Sequence, residues 1–273
     1  MTGPLFAELH RALVADEPVV LATVTDVDVS TAMGTVLGAK LVVRPGTDPL
    51  GTLGAPELDR VVARDALAAL DVGATTTRHY GPQGENGRTD VAVLLETFVP
   101  PPRMVVFGAV DFTRALVDVA KLLGFAVTVC DARPVFATRA RFPRADEVVV
   151  DWPDRLLERI GPTLGRRDAV VVLTHDAKFD VPAILGALAT PVGYLGAMGS
   201  RRTHAHRWAR LLEAGASEDE LHRRLMSPIG LDVGARTPEE TAVSIAAEVI
   251  AVRTGAAERP MTPLRDAAGP IHR

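Results

Sequence analysis

From Arg103 onward the chain alternates short, near-continuous Val/Leu runs with amphipathic stretches. The apolar runs are MVVFGAV, FAVTVCD, DEVVVD, DAVVVLTHD and VGYLGAMGS. A strand with no polar alternation is buried on both faces, and intervening helices return the chain to the same end of a sheet. This half is therefore expected to form a parallel sheet with helices on both sides. The helices are expected over DFTRALVDVAKLLG, PDRLLERIG, VPAILGALAT, RRTHAHRWARLLEAG, SEDELHRRLM and TPEETAVSIAAEVIAVRTG. Two carry the signature of a capping box, Ser217 with Glu220 and Thr237 with Glu240. Pro238 fits the first turn of the last helix.

The first hundred residues have a different rhythm. Residues 1–17 place Leu5, Leu9, Ala12 and Leu13 on one helical face. VVLATV and GAKLVVRPG read as strands. A helix follows GTLGAP, with Leu58, Val61, Val62, Ala66 and Leu70 toward a core. TTTRHYG and TDVAVLLETFV read as a hairpin. Between the halves stand Pro100, Pro101 and Pro102, which continue neither a helix nor a central strand and stiffen a linker. Net charge shifts there from −6 over residues 1–102 to +2 over the remainder. The expected organisation is an α+β domain over 1–100, a Rossmann-like parallel-sheet domain over 103–255, and a loose tail over 256–273. The fold class is α/β.

Composition removes several function classes. A net charge of −4 and 4% aromatics disfavour nucleic acid as a partner. No apolar run is long enough to span a bilayer, and the start lacks a signal-peptide pattern, so a cytoplasmic location is the default expectation. The single cysteine, Cys130, permits no internal disulfide framework and no cysteine-only metal site. It ends a buried strand, where a thiol packs as a small hydrophobe. His175, His204 and His206 lack the spacing of a metal site, and no metal is expected.

A dinucleotide fold opens on G-x-G-x-x-G after its first strand. Here that stretch is Gly108-Ala109-Val110-Asp111-Phe112-Thr113. The first glycine permits the tight turn. Val110 stands where a pyrophosphate must approach, Thr113 is bulkier than the residue that lets helix meet strand, and Asp111 sets a negative charge at the helix start. Asp131, at the end of the second strand, holds the place of a ribose-binding acid. These departures disfavour NAD(P) and leave Gly108 and Asp131 as remnants of a nucleotide site.

Two other strand ends carry unusual chemistry, where ligands sit in open α/β sheets. The fourth strand runs into Thr174, His175, Asp176, Lys178 and Asp180. The fifth runs into Gly199, Ser200, Arg201 and Arg202, opening a helix that continues with His204, His206, Arg207 and Arg210. Free amides, the Ser200 hydroxyl and the arginines would suit an anion. A solvated basic face is the plainer reading of the same helix.

YLGAMGSRRTHAHRWARL, MSPIGLDVGARTPEETAVSIAAEVIA and LTHDAKFDVPAI together resemble the XdhC/CoxF family, the xanthine dehydrogenase accessory or molybdenum cofactor insertion family. VVFGAVDFTRALVDVAKLLGFAVTVCDARPVFAT resembles its Rossmann opening. Residues 1–100 resemble its N-terminal, XdhC/CoxI-like domain. STAMGTVLGAKLVV is similar to the loop before Gly-Ala-Lys, with Lys40, and GTLGAPELDRVV to its glycine turn, with Glu57 in the acid position. The sequence departs from the family at Ala32, Met33, Thr35, Val36 and Leu37, which replace an arginine-and-proline loop. It departs again at Gly54-Ala55-Pro56, where some members carry a cysteine, and at the first Rossmann turn.

The resemblance implies a non-catalytic accessory that binds molybdenum cofactor (molybdopterin) and hands it to a molybdenum hydroxylase, such as xanthine or carbon monoxide dehydrogenase. A cofactor-sulfurating or cofactor-modifying enzyme would be a further partner. The implied cofactor site gathers Gly199, Ser200, Arg201, Thr174, His175, Asp176 and Lys178, together with Gly108 and Asp131 at the first turn, and with Lys40 and Glu57 facing it from the first domain across a sheltering cleft. Two alternatives stand beside it: a protein–protein adaptor that binds no small molecule, and an NAD(P)-dependent oxidoreductase. A homodimer is the ordinary expectation for a protein of this kind.

Overall fold

The computed structural model describes residues 3–32 and 34–258. Two compact units meet in sequence at Pro100 and Pro101.

The first unit is built on an antiparallel five-stranded sheet. Its strands are β1 (Val19–Val27), β2 (Lys40–Val43), β3 (Leu50–Thr52), β4 (Thr76–Tyr80) and β5 (Val91–Phe98), in the order β3-β2-β1-β5-β4. Successive side chains on a strand face opposite ways, and the burial follows. Val20, Ala22 and Val24 pack with Leu58, Val62 and Ala66 of helix α2 (Pro56–Val72). Val19 and Leu21 pack on the other face with Ala12, Leu9 and Leu5 of helix α1 (Pro4–Val14). The turn before α2 requires glycine at position 54. Its φ is +116°, and a β-carbon there would stand 2.2 Å from the Gly34 carbonyl oxygen. The glycine-rich pattern around Gly51 predicts only a turn, yet β3 forms there, because Leu50 and Gly51 meet Val42 and Leu41 of β2 across a tight connection.

The second unit is a six-stranded, wholly parallel sheet. Its strands are β6 (Arg103–Phe107), β7 (Ala126–Cys130), β8 (Glu147–Val149), β9 (Ala169–Val172), β10 (Tyr194–Ala197) and β11 (Leu225–Met226). They stand in the order β11-β10-β9-β6-β7-β8, so the chain reverses its winding between β6 and β9. Met104, Val106, Val127, Val129 and Val171 face α3 (Asp111–Leu122) and α8 (Pro238–Arg253). Val105, Phe107, Val170, Val172 and Leu195 face the opposite layer, α4 (Pro153–Ile160), α5 (Ala177–Leu188), α6 (Arg201–Glu213) and α7 (Glu218–Arg224).

Two local expectations are corrected here. Ser217 precedes α7 without capping it by its side chain. Glu220, which would complete that box, instead pairs with Arg224 one turn on, at 3.2 Å. The helix also stops at Arg224, because Leu225 and Met226 pair with Leu195 and Gly196 as an edge strand. Arg224 fixes the stop by donating to the carbonyls of Leu188 (2.6 Å) and Thr190 (2.7 Å). The box at α8 does form. Glu240 N donates to Thr237 Oγ1 (3.2 Å), and Thr237 N to Glu240 Oε2 (3.1 Å). Thr237→Ala is expected to lower unfolding stability by about 1 kcal/mol, read from a urea transition. Of the expected tail, residues 256–258 form a 3₁₀ turn and the rest lies outside the described residues.

Candidate functional site

The first Rossmann turn is closed from within. Gly108 has a φ of +109°, and a β-carbon there would lie 2.7 Å from the Thr174 methyl group. The two amides that follow, which in such a fold would cradle a phosphate, are already spent. Ala109 N donates to Asp131 Oδ2 (2.9 Å), and Val110 N to Thr113 Oγ1 (3.3 Å). Thr113 is fully buried and bonds back to the Gly108 carbonyl. Asp131 is also spent, because Arg133 holds both its oxygens, with Nη2 at 2.7 Å and Nε at 2.9 Å. Burial pushes the Asp131 carboxyl up, but hydrogen bonds from Arg133 and Ala109 outweigh it and its pKa is lowered. Arg141 closes the outer side, on the Ala109 carbonyl at 2.9 Å and beside Asp111 at 3.4 Å.

The strand ends of β9 and β10 form a different site. Between the starts of α5 and α6 lies a cavity of about 250 Å³, lined among others by His175, Asp180, Arg202, His206, Arg207 and Arg210. Its floor is an ion pair buried to about 3% exposure on each side chain. Arg207 reaches Asp180 Oδ2 with Nη2 (2.7 Å) and Nε (3.0 Å). The remaining valences are filled. Thr174 Oγ1 donates to Asp180 Oδ1, and Arg207 donates to the Met198 carbonyl (2.7 Å) and Ser227 Oγ (3.3 Å). One pair thus ties together α5, α6 and the loops after β9, β10 and β11. Burial pushes the Asp180 carboxyl up, opposed by the Thr174 hydroxyl and the Arg207 charge. Because the pair is internally neutral, the field in the cavity comes from Arg202 and Arg210. Arg202, His206 and Arg210 recur every fourth residue, so they stack along one face of α6, and His175 stands opposite at the start of α5.

The residues expected for an anion site divide. His175 lines the cavity, and Thr174 supports its floor. Ser200 caps α6 by accepting from Thr203 N (3.1 Å) and sharing a hydrogen bond with Thr203 Oγ1 (3.0 Å), which leaves its hydroxyl committed. At Gly199 an added β-carbon would stand 3.0 Å from the Thr203 side chain, so this glycine serves the close approach of the turn to α6. Asp176 caps α5 and pairs with Lys178 at 3.2 Å on the surface, so these two charges offset each other. Arg201 is exposed and is absent from the lining, where its neighbour Arg202 stands. In the first unit, Lys40 Nζ donates to Thr23 Oγ1 (2.9 Å) and Glu57 pairs with Arg60 (2.8 Å).

Sequence reasoning misses the Asp180–Arg207 pair as a unit. Both residues are visible, but nothing in their spacing across 27 positions signals a contact. No cluster of three or more potential metal ligands occurs among the described residues. No described helix is long and apolar enough to cross a membrane.

His204, on the flank of α6, has a buried Nδ1 with no hydrogen-bond partner and packs against Trp208 at 5.3 Å. Burial, then the charge of Arg207, lowers its pKa. A histidine held neutral stabilises the fold above its unfolded pKa of about 6.5, and that contribution is lost as pH falls through the folded value. The fall in melting temperature between pH 7.5 and pH 5.5 should therefore be smaller in His204→Asn than in wild type.

Comparison with known proteins agrees with this architecture. Residues 104–249 match the XdhC Rossmann domain. Residues 12–81 match the XdhC and CoxI family. A protein of Bacillus subtilis described as a probable xanthine dehydrogenase subunit is 34% identical over 59% of this chain and 46% of its own length. The molybdenum cofactor insertion chaperone PaoD of Escherichia coli is 39% identical over 31% of this chain and 26% of its own. The chain spans less than half the length of these curated relatives. A solved Bacillus halodurans protein, described as a xanthine dehydrogenase, superposes with a TM-score of 0.51 at 22% identity. That match covers 91% of this chain and 95% of that one, and it speaks to the fold alone. With the Rossmann-domain match covering more than half of its residues, the chain belongs to the XdhC family.

Proposed function

We propose that this chain is a non-catalytic accessory protein that binds an anionic molybdenum cofactor and aids maturation of a molybdenum hydroxylase. The observation that carries this reading is the cationic cavity at the ends of β9 and β10. Arg202, His206 and Arg210 surround a floor whose own charges cancel. The names of the relatives, a molybdenum cofactor insertion chaperone and a component of xanthine dehydrogenase, support the same direction.

The donor set fits a phosphate-bearing ligand. Guanidinium groups pair with phosphate oxygens in a planar fork, and imidazoles add hydrogen-bond donors. It does not supply a thiolate for the metal. Cys130 is buried, with its thiol pushed up to about 12 by burial and by Asp151, and Gly54-Ala55-Pro56 offers no sulfur. Binding would rest on the phosphate and the pterin, with Arg202 and Arg210 gripping the anion and His175 and His206 completing its hydrogen bonds.

A mass spectrum of the small molecules carried by the natively purified protein tests this reading. Molybdopterin or a nucleotide derivative of it is the expected species, and a spectrum containing nicotinamide dinucleotide instead would overturn it.

The adaptor reading has its own support. Ser200, Asp176 and Lys178 are engaged with neighbours instead of open to a ligand. It requires that a client enzyme bind equally well to wild type and to a variant carrying both His175→Ala and Arg202→Ala.

A further inference from the structure

The amino-terminal ends of the same strands carry a second cationic cleft, on the far side of the sheet from the rim. Its volume is about 460 Å³, nearly twice that of the rim cavity. Arg166 precedes β9, Pro191 and Val192 precede β10, Arg224 precedes β11, and Val252 and Arg253 end α8.

The arginines are not equivalent. Arg224 is consumed by main-chain carbonyls and serves the fold. Arg253 lies 5.2 Å above the Phe125 ring, which orients it without neutralising it. Among the described residues no carboxylate pairs with Arg166 or Arg253. The nearest acid in sequence to Arg166, Asp168, is hydrogen-bonded by Arg103, whose Nη2 lies at 2.8 Å and whose amide lies at 2.7 Å, and it attracts Arg253 only through space. Burial, then the neighbouring charge of Arg253, lowers the pKa of Arg167, and the charge of Asp168 acts in the opposite sense.

The walls decide what would fit. Pro191, Val192 and Val252 supply an aliphatic floor between two unpaired guanidinium groups. The local amides are committed, with Gly193 N on the Asp168 carbonyl (3.2 Å) and Val192 N on Thr190 Oγ1 (3.3 Å). A small free anion would find no amide cradle. An extended chain that alternates carboxylate and aliphatic side chains would satisfy both the cations and the floor. We propose that this cleft docks an acidic segment of a protein partner, with its carboxylates on Arg166 and Arg253 and its aliphatic side chains over Pro191, Val192 and Val252. The docking is independent of what the rim cavity holds.

The test is a fluorescence-anisotropy titration of the full chain with a labelled ten-residue peptide of alternating Glu and Leu at low salt. Wild type should bind it, and Arg166→Glu with Arg253→Glu should weaken binding at least about tenfold. Arg202→Glu with Arg210→Glu, at the rim, should change it less than twofold. Arg166 and Arg253 are exposed, and Arg253→Glu removes only the contact with Phe125 and the basic end of α8, so melting should fall by no more than about 2–4 °C. If the charge-reversed protein does not fold, Arg166→Gln with Arg253→Gln replaces it with the same sign expected. Absence of peptide binding to wild type overturns the proposal, as does unchanged binding in the Arg166/Arg253 variant or loss only in the rim variant. Displacement of the peptide by an equal concentration of inorganic pyrophosphate also overturns it and would mark a small-anion site.

Discussion

Asp180→Ala should destabilise the second unit by about 3–5 kcal/mol, because it strands the Arg207 charge among buried neighbours. The expected drop in melting temperature is on the order of 10 °C for a unit of this size. Both tryptophans, Trp152 and Trp208, lie in the second unit, so their fluorescence reports this transition and not that of the first. Arg207→Ala should cost a similar amount by leaving Asp180 uncompensated. Removing both charges with apolar residues of similar volume, Asp180→Leu with Arg207→Met, should recover much of the loss. Such recovery would separate the cost of a lone buried charge from the worth of the pair. The pair also joins α5 and α6 with three loops, so the single variants should loosen the cavity above it. A single variant that melts like wild type would remove the pair from its structural role.

The second large effect is on ligand affinity. Arg202→Glu with Arg210→Glu reverses two charges on the lining face of α6 and should weaken binding of molybdopterin about 30-fold or more at low ionic strength. The loss should shrink as salt is raised, since exposed charges are screened over about 10 Å at 0.1 M. Arg201→Glu changes a residue on the same helix that is absent from the cavity lining, so it should have a markedly smaller effect. Equal losses for Arg201→Glu and for the double variant would mean that the long-range field of the helix, and not the cavity, does the binding.

Much of the fold is legible because strand burial leaves a direct trace in sequence. MVVF and AVVV have no polar alternation, and both become central strands of the parallel sheet. VVLATV in the first unit divides its odd and even residues between two helices. What escapes the sequence is short or long-range. Leu225 and Met226 are too few to show a period. The Ser217 box fails because Glu220 has a competing arginine one turn away. At the site, the strand ends are legible from topology, and the weakened phosphate turn from Val110, Asp111 and Thr113. The choice between Arg201 and Arg202 is not, because one residue turns a helix by about 100° and its inward face is set by partners far away in sequence. Here that inward face carries Arg207 and Leu211. By sequence Arg207 belongs to a solvated stripe, because arginine is rarely fully buried unless paired, and its partner, Asp180, lies 27 positions earlier.

Retention of an anionic cofactor by the rim cavity is tested most directly on a gel-filtration column at low salt. Purified protein is mixed with molybdopterin, and pterin fluorescence is followed across the elution. Fluorescence should travel with the wild-type protein and should separate from it when Arg202 and Arg210 are both replaced by glutamate. Fluorescence that elutes alone from the wild-type mixture, or that follows the double variant equally well, would contradict the assignment of the cofactor to this cavity.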